Sequence, residues 1–338
     1  MAAAAPLPNT GESDRPYLAV VSPVFNDWGC VPELLARLDQ ALGSIQGTAE
    51  VYLVDDASTL ARSLDLAGQS YQAIRSVWAV RLKRNLGHQR AIAVGLGLVS
   101  PSDAYDAVLV LDSDGEDRPE DVPQLYAAMR RTNGSAVVFA ERTRRTENWW
   151  FKLMYRLYRV SHRWLTGIAV RFGNFSLVPI RLGRSLTLAS DLWNHYAAAV
   201  VKSRLPYTSV PCPRGRRIAG TSQMNLVSLT SHGLRAFSVF SEEIGTRALL
   251  LCLALFALSL LASIIVVGIR FGTSYAIPGW STTAMAFAIL VALQSLTLAA
   301  VFTFFVLSSR SFSATVPLRE AELFIESKEM LYGPGATR

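Results

Sequence analysis

Two long apolar runs near the C-terminus constrain this chain more than any other feature of its sequence. Ala248–Ile269 contains no charged residue, and Ala284–Leu307 is interrupted only by mildly polar residues. As helices rising about 1.5 Å per residue, they would be roughly 33 and 36 Å long, which is enough to cross a hydrocarbon core of about 30 Å. Buried core helices are the alternative, but they rarely stay uncharged over this length. The sequence therefore predicts two transmembrane helices, in agreement with a hydrophobic content of 51%.

Basic residues are distributed unevenly around the two runs. Arg270 is the only basic residue of the connection 270–283, whereas arginines and lysines occur before the first run and after the second. Because basic residues favour the cytoplasmic side, we expect residues 1–247 and a tail of residues 309–338 in the cytoplasm. Residues 1–16 lack the pattern of a signal peptide and are predicted to be a disordered lead-in.

The first 140 residues alternate short apolar runs with helical stretches, which is typical of a parallel sheet covered by helices. Apolar residues at helical spacing predict helices over Pro32–Ser44 and Gln89–Val99. An α/β catalytic domain is therefore predicted over residues 17–224. The predicted strands are Tyr17–Ser22, Glu50–Val54, Val77–Leu82, Ala107–Leu111 and Ala136–Ala140.

Polar residues gather where four of these strands end. A single Asp after a strand is commonly a helix cap or a turn residue. However, ligands of open α/β sheets bind outside the carboxyl ends of the strands, and four polar positions at one edge indicate a site. These residues are Asn26 and Asp27, Asp55 and Asp56, Asn85, and Asp112 and Asp114.

Three acidic residues after the fourth strand are candidate metal ligands. Asp112, Asp114 and Glu116 alternate, so that an extended strand end could direct their oxygens at one ion. Bare carboxylates would repel a nucleotide diphosphate, whereas Mg²⁺ or Mn²⁺ held by one or two of them bridges to its oxygens and neutralises the leaving group. The tripeptide alone is common by chance, but its position after an apolar strand favours a metal site.

Basic and amphipathic stretches suggest contact with anionic lipid or phosphate. Residues 142–184 contain ten Lys or Arg and one acid, and residues 202–217 contain five and none. A solvated face is the alternative. Nucleic acid also suits a basic patch, but no nucleic-acid-binding motif accompanies it, so no such partner is expected. Residues 225–246 place apolar side chains on one helical face, which predicts an interfacial juxtamembrane helix or one packed on the catalytic domain.

Five motifs in order resemble family 2 glycosyltransferases of the dolichol-phosphate mannosyltransferase and bactoprenol-phosphate glucosyltransferase type. The resemblance runs from about Tyr17 to Leu307, and motifs in the right order are more specific than any one of them. The motifs are Pro23-Val24-Phe25-Asn26-Asp27 (family P-x-Y-N-E), Val54-Asp55-Asp56-Ala57-Ser58 (V-D-D-G-S), Asn85-Leu86-Gly87-His88 (N-x-G-H), Asp112 to Glu120 (D-A-D-x-Q-D-P-P-E) and Arg214 to Ser222 (R-x-x-R-x-x-G-x-S).

The resemblance implies a GT-A-like, Rossmann-like nucleotide-sugar-binding domain followed by the pair of transmembrane helices. It also implies roles for residues at the matching positions. Metal would be bound by Asp112, Asp114 and Glu116, and phosphates of donor or acceptor by Arg214, Arg217 and Ser222. The donor would be bound by Pro23, Phe25, Asp27, Asp55 or Asp56, Asn85, Asp112 and Arg142.

The implied reaction moves a sugar from a nucleotide-sugar donor to a polyprenyl phosphate of undecaprenyl or dolichyl type, for cell-envelope or glycan synthesis. Such a phosphate is already ionised, so positioning and charge stabilisation could supply most of the rate. Asp191 is the candidate carboxylate if a base assists, and a helix N-cap is its structural alternative. Membrane lipids are expected partners, and a homo-oligomer is compatible with the sequence.

Departures from the family pattern concentrate in the half of the domain that would bind the acceptor. Gln223 stands where the family has Lys, and Asn174 stands where it has Asp. Glu116 and Asp27 also differ, but both keep oxygen ligands. Two alternatives therefore stay open: a transferase acting on another lipid-linked glycan or glycolipid, and a non-catalytic nucleotide-binding membrane scaffold.

Overall fold

The computed structural model describes residues 15–142 except positions 61, 63, 65 and 67, together with 173–218, 238–273, 277, 279–311 and 315–334. The chain divides into two compact units. The first, the sheet unit, comprises Met1–Glu147, Val170–Val239 and Thr315–Arg338. The second, the span unit, comprises Asn148–Ala169 and Phe240–Ala314.

The sheet unit is built on one eight-stranded mixed sheet with strand order β7-β5-β6-β4-β1-β2-β3-β8. The central strands β4, β1, β2 and β3 are mutually parallel, while β6 is antiparallel to β4 and β5, and β8 is antiparallel to β3. The strands are β1 Tyr17–Val24, β2 Thr48–Asp55, β3 Ile74–Leu82, β4 Ala107–Val110, β5 Val137–Arg142, β6 Ser176–Pro179, β7 Tyr207–Cys212 and β8 Ile325–Tyr332.

All five predicted strands are present and run parallel to one another, while the sheet as a whole is mixed because it also contains β6 and β8. The strand β6 separates β4 from β5 and runs against both. It is only four residues long, and β8 is largely exposed and carries three charged residues. Neither strand therefore produces the apolar run by which the central strands were recognised.

Helices cover both faces of the sheet, which explains the continuous apolar runs of its central strands. Leu18 and Val20 of β1 belong to one buried cluster, while Ala19 and Val21 belong to the other, as alternation along a strand requires. Helices α1 and α3 contribute to the first cluster, and α2 and α5 to the second. The helices are α1 Val31–Ser44, α2 His88–Val99, α3 Val122–Arg131, α4 Ile180–Thr187 and α5 Tyr196–Lys202.

Two glycines of α2 permit close packing on both of its sides. A Cβ at Gly95 would lie 2.4 Å from Cγ1 of Val21 in the sheet. A Cβ at Gly97 would lie 2.5 Å from the carbonyl oxygen of Pro317, in the short helix α8 (Pro317–Glu320). Side chains at these positions would push α2 away from its neighbours, so both glycines help to fix its N-terminal residue His88.

The C-terminal segment belongs to the sheet unit. Strand β8 pairs with β3, and Lys328 places its Nζ 4.5 Å from the ring centroid of Trp78 and 5.2 Å from that of Tyr52. Glu329 forms an ion pair with Arg62 at 2.9 Å. Within residues 309–338, which were predicted as a cytoplasmic tail, the structure gives Ile325–Tyr332 the edge position of the sheet.

The span unit contains two long apolar helices, α6 (Ser241–Gly272) and α7 (Trp280–Ser311). Both are long and apolar enough to cross a membrane, and they contain the predicted spans 248–269 and 284–307. Buried small residues lie seven positions apart on α6, at Gly245, Cys252 and Ser259, and a Cβ at Gly245 would lie 2.5 Å from Cγ2 of Val306 in α7. The Ser259 hydroxyl donates to the carbonyl of Ala288. Small residues at this spacing let two apolar helices approach closely.

The predicted juxtamembrane helix 225–246 falls mostly outside the described residues. Its last residues, from Ser241, are already part of α6. The boundary predicted at residue 247 therefore lies inside one continuous helix.

Candidate active site

The carboxyl ends of β1, β2 and β4 bring the predicted polar residues to one edge of the sheet. Strands β1 and β2 run in register, with Val24 beside Asp55, and β4 lies on the other side of β1. The Arg217 side chain joins the loops that follow two of these strands, because its guanidinium contacts Asp27 at 3.2 Å and Asp114 at 3.3 Å. The predicted convergence of the β1 and β4 loops is thus seen directly.

The Asp112-Ser113-Asp114 motif forms a tight turn after β4. The amide of Glu116 donates to Oδ1 of Asp114 at 2.9 Å, and Gly115 adopts a φ of +84°. This left-handed conformation suits a glycine. Burial raises the pKa of Asp114, and the charges of Asp112 and Glu116 add to this effect, while Arg217 opposes it. The charged form of the Asp114 side chain is therefore disfavoured in this turn, and a nearby cation would stabilise it.

Asp117 holds this turn from inside, a role that the sequence did not predict. Its Oδ2 accepts the amide hydrogen of Asp112 at 3.0 Å, and its Oδ1 accepts from Arg142 at 3.2 Å. Burial and the charge of Asp112 raise the pKa of Asp117 to about 7. The family motif contained this Asp, but its inward orientation cannot be recognised from spacing.

Three arginines surround the acids, and all three were predicted site residues. Arg142 lies 3.6 Å from Glu116, Arg214 binds Glu116 through two nitrogens at 2.6 to 3.1 Å, and Arg217 bridges Asp27 and Asp114. Three of the chain's positive charges thus lie beside the acids of the motif turn.

Arg214 and Arg217 belong to a segment, Pro213–Ile218, that lies directly on the turn; we call it the arginine loop. The amide of Gly215 donates to the carbonyl of Glu116, and the amide of Ile218 donates to that of Asp114, each at 2.9 Å. A Cβ at Gly215 would lie 2.3 Å from the carbonyl oxygen of Gly115. Only a glycine at position 215 therefore permits this approach.

A chain of amide hydrogen bonds leads from the core to the first Asp of the motif. The amide of Tyr196 donates to Oε1 of Gln89, and Nε2 of Gln89 donates to Oδ1 of Asn174. The other end of Asn174, Nδ2, lies 2.9 Å from Nε2 of His88, which lies 3.1 Å from Asp112. Asn174 thus has a defined place in the site although it departs from the family's Asp.

The charge state of His88 matters for Asp112. Burial lowers the pKa of His88, but the charges of Asp112, Asp117 and Asp114 outweigh burial, and the pKa is raised. When His88 is protonated, its positive charge faces Asp112. When it is neutral, its Nε2 can accept a hydrogen from Asn174. The sequence placed His88 in a motif without assigning it a role.

The first Asp of the motif could contribute an oxygen to a divalent cation. Oδ1 of Asp112 is buried and lies 3.1 Å from Nε2 of His88. Carboxylate oxygens are the ligands that Mg²⁺ and Mn²⁺ prefer, and a neutral His88 that accepts a hydrogen from Asn174 would leave this oxygen to the ion. However, no three His, Cys, Asp or Glu side chains among the described residues are arranged to hold a metal by themselves. Asp112, Asp114 and Glu116 are therefore not a preassembled three-ligand site, because Asp114 and Glu116 face arginines.

The two predicted donor-binding acids at the end of β2, Asp55 and Asp56, differ in their hydrogen-bond partners. Both oxygens of Asp56 accept backbone amide hydrogens, from Leu86 at 2.6 Å and Gly87 at 2.9 Å, and Asn85 donates to the carbonyl of Asp56. Asp56 and Asn85 thus connect the β2 loop to the start of α2. Asp55 uses only Oδ1 for the amide of Ser58, while its Oδ2 lies 3.7 Å from Arg81.

The remaining predicted residues have mixed outcomes. Pro23 lies in β1, and Phe25, directly after it, is 39% exposed at the site edge. Asp191 forms an ion pair with Lys202 at 3.1 Å. The N-cap of its 3₁₀ turn, Ser190–Trp193, is Ala189, so the alternative prediction of Asp191 as a helix N-cap is wrong. Ser222 and Gln223 lie outside the described residues.

A model of the family described as "Glycosyl transferase family 2" matches residues 19–182. The matched segment, which is just under half of the chain, is similar to glycosyl transferase family 2. The match covers β1 to β6, including the Asp112-Ser113-Asp114 turn, and agrees with the predicted GT-A-like fold.

Curated relatives carry a more specific name. A protein of Enterobacter sp. (strain 638), an undecaprenyl-phosphate 4-deoxy-4-formamido-L-arabinose transferase, is 28% identical over 78% of this chain and 80% of its own length. A protein of the same name from Pseudomonas paraeruginosa is 32% identical over 46% of this chain. In that match the chain spans about half of the relative's length, 45%.

Two solved structures are also similar to this chain. Glucosyl-3-phosphoglycerate synthase of Mycobacterium tuberculosis, crystallised with Mn²⁺ and UDP-glucose, has a TM-score of 0.48 and 14% identity, covering 68% of this chain and 80% of that one. Mannosyl-3-phosphoglycerate synthase of Rubrobacter xylanophilus has a TM-score of 0.47 and 15% identity, covering 69% and 75%.

Proposed function

We propose that this chain is a membrane glycosyltransferase that moves a sugar from a nucleotide-sugar donor to a polyprenyl phosphate. The observation that carries the proposal is the Asp112–Asp114 turn at the carboxyl edge of the sheet, crossed by Arg217 and Arg214. At this turn, acids that could hold a metal and arginines that could bind phosphates lie within one ion-pair network. The two apolar helices and the name of the curated relatives support a lipid acceptor.

The donor half uses residues at the ends of β1, β2 and β4. Pro23, Phe25 and Asp27 line one side of the edge, and Asp55 is better suited than Asp56 to the base and ribose, since Asp56 is occupied by backbone amides. Asp112 and Asp114, with Glu116, would hold Mg²⁺ or Mn²⁺ together with the donor's own phosphate oxygens. The cation would neutralise the diphosphate leaving group.

The acceptor half relies on positive charge. Arg214 and Arg217 can bind a phosphate through two nitrogens each, and Arg142 adds a third guanidinium beside Glu116. A lipid monophosphate is already ionised near neutral pH, so these residues need only orient it and exclude water. Asp191 would assist as a base only if released from Lys202, so we give it a secondary role.

Chain connectivity supports the proposed topology. Val170–Val239 and Thr315–Arg338 both belong to the sheet unit, and α6 and α7 lie between them in the chain. Two crossings return the chain to the side from which it left. We therefore propose that the catalytic domain consists of residues 17–224 together with the C-terminal segment, on the cytoplasmic side that the basic residues favour.

A second candidate function is transfer to another lipid-linked glycan or glycolipid. Asn174 favours it, because an amide tied to Gln89 and His88 replaces the family's acid. Both functions keep the same donor chemistry, so only the acceptor distinguishes them.

Radiolabelled nucleotide sugars supplied with Mn²⁺ or Mg²⁺ to the full chain in detergent test the proposal. Undecaprenyl phosphate and extracted membrane lipids serve as alternative acceptors. Asp114→Ala should reduce transfer by at least about a hundredfold, since it removes a carboxylate from the metal and diphosphate site. The matched control is Asp103→Ala, an exposed acid paired with Arg184. Equal turnover in both variants would sink the proposed site.

A further inference from the structure

The carboxylates that would hold a metal are already bound by arginines of the same chain. Arg217 contacts Asp114 at 3.3 Å and Asp27 at 3.2 Å, and Arg214 contacts Glu116 at 2.6 Å. A divalent cation at Asp114 and Glu116 would come within a few ångströms of these guanidinium groups. Two positive groups at this separation repel each other, and burial strengthens the repulsion.

The same arginines have a second class of partner in the proposed reaction. A guanidinium binds phosphate oxygens with the fork geometry that it uses for carboxylates. Arg214 and Arg217 lie on the arginine loop, whose backbone is fixed to the turn by hydrogen bonds from Gly215 and Ile218. Their side chains can therefore change partner while the loop stays in place.

We propose that Arg217, supported by Arg214, is an internal counter-cation that competes with the divalent metal for Asp114 and Glu116 and moves to the donor's diphosphate when both bind. This inference rests on the proposed function. It makes the metal and the diphosphate bind cooperatively, because each removes an obstacle for the other. By thermodynamic linkage, the metal strengthens diphosphate binding by the same factor by which the diphosphate strengthens metal binding.

Substitution of Arg217 should therefore have opposite effects on the two ligands. Arg217→Gln should tighten the binding of Mn²⁺ alone by about three- to tenfold, because a partly exposed competing ion pair and a nearby positive charge are removed. The same substitution should weaken binding of a nucleoside diphosphate in the presence of Mn²⁺ by about tenfold or more, because charge-assisted hydrogen bonds are lost. A residue with a merely structural role would weaken both.

The experiment uses the full chain in detergent. The electron paramagnetic resonance signal of free Mn²⁺ gives the metal affinity, and calorimetric titration of UDP and of GDP with saturating Mn²⁺ gives the diphosphate affinity. Arg184→Gln is the matched control, since it removes an arginine that is paired with an acid at 2.7 Å outside the site. Arg214→Gln removes the closer of the two arginines that contact Glu116. It should shift both affinities in the same directions, and it serves as the test if Arg217→Gln fails to fold.

The outcomes separate this inference from the proposed function. If the wild-type chain and Asp114→Ala bind Mn²⁺ equally, the proposed metal site itself is wrong. If Mn²⁺ binding depends on Asp114 but is unchanged or weaker in Arg217→Gln, the metal site stands and the competition is refuted. Tighter Mn²⁺ binding with weaker diphosphate binding, absent from Arg184→Gln, is the expected result.

Discussion

A single methyl group at Gly215 should displace the arginine loop. A Cβ there would lie 2.3 Å from the carbonyl oxygen of Gly115, 2.9 Å from Cγ of Arg118 and 3.0 Å from the carbonyl oxygen of Glu116. Two of these atoms are backbone atoms of the motif turn and cannot rotate away. In Gly215→Ala the loop must therefore lift, which breaks the hydrogen bonds from Gly215 and Ile218 to the turn.

The expected size of the effect follows from these contacts. Two lost backbone hydrogen bonds correspond to about 1–3 kcal/mol, so the variant should fold but melt a few degrees lower. The arginine side chains would move by about 1 Å or more from the acids, and a displacement of this size can reduce turnover by about a hundredfold.

The assay is sugar transfer by the full chain in detergent, with thermal unfolding measured in parallel. Gly43→Ala is the matched control, because nothing lies within 4 Å of a Cβ at that position in α1. It should leave turnover unchanged. If Gly215→Ala retains transfer within about threefold of the wild type, the arginine loop does not need its contact with the turn.

Two further predictions concern stability. Glu50→Gln should destabilise the chain by about 1–3 kcal/mol, since its carboxylate accepts hydrogen bonds from Tyr17, Tyr52 and Tyr105. Burial raises the pKa of Glu50, but the hydrogen bonds from the three tyrosines outweigh burial and lower it. The stabilisation is therefore present above the ordinary pKa of a Glu and is lost as the pH falls through the pKa of Glu50 in the folded chain. The unfolding curves of wild type and Glu50→Gln should converge in acid. Deletion of residues 315–338 should abolish soluble folding by uncovering the edge of β3, whereas deletion of residues 335–338 should not; detergent-soluble yield and thermal unfolding measure both.

The donor half of the site could be predicted because its residues follow strands that are buried on both faces. The apolar runs of β1, β2 and β4 indicated the strand ends: Asp55 is the last residue of β2, and Asp27 and Asp112 follow the ends of β1 and β4 within three residues. Parallel strands then bring these ends to one edge whatever the details of the loops.

The pairing of the charged residues could not be predicted. Arg217 contacts Asp27 across 190 residues of sequence, and the contact depends on where the arginine loop is fixed. Asp117 was also missed as a functional residue, since its oxygens point into the turn rather than toward a ligand. Both facts depend on loop conformation, which the periodicity of the sequence does not predict.

The position of β8 has the widest consequence for how the chain is built. Its sequence, with exposed Glu326, Lys328 and Glu329, has the charged character by which edge strands avoid pairing with other chains, so composition alone suggests a solvated tail. Its pairing with β3 instead makes the sheet depend on residues that follow both apolar helices. Because β8 pairs with β3, the two strands must lie on the same side of a membrane. One crossing would separate β8 from β3, and two crossings allow the sheet to close.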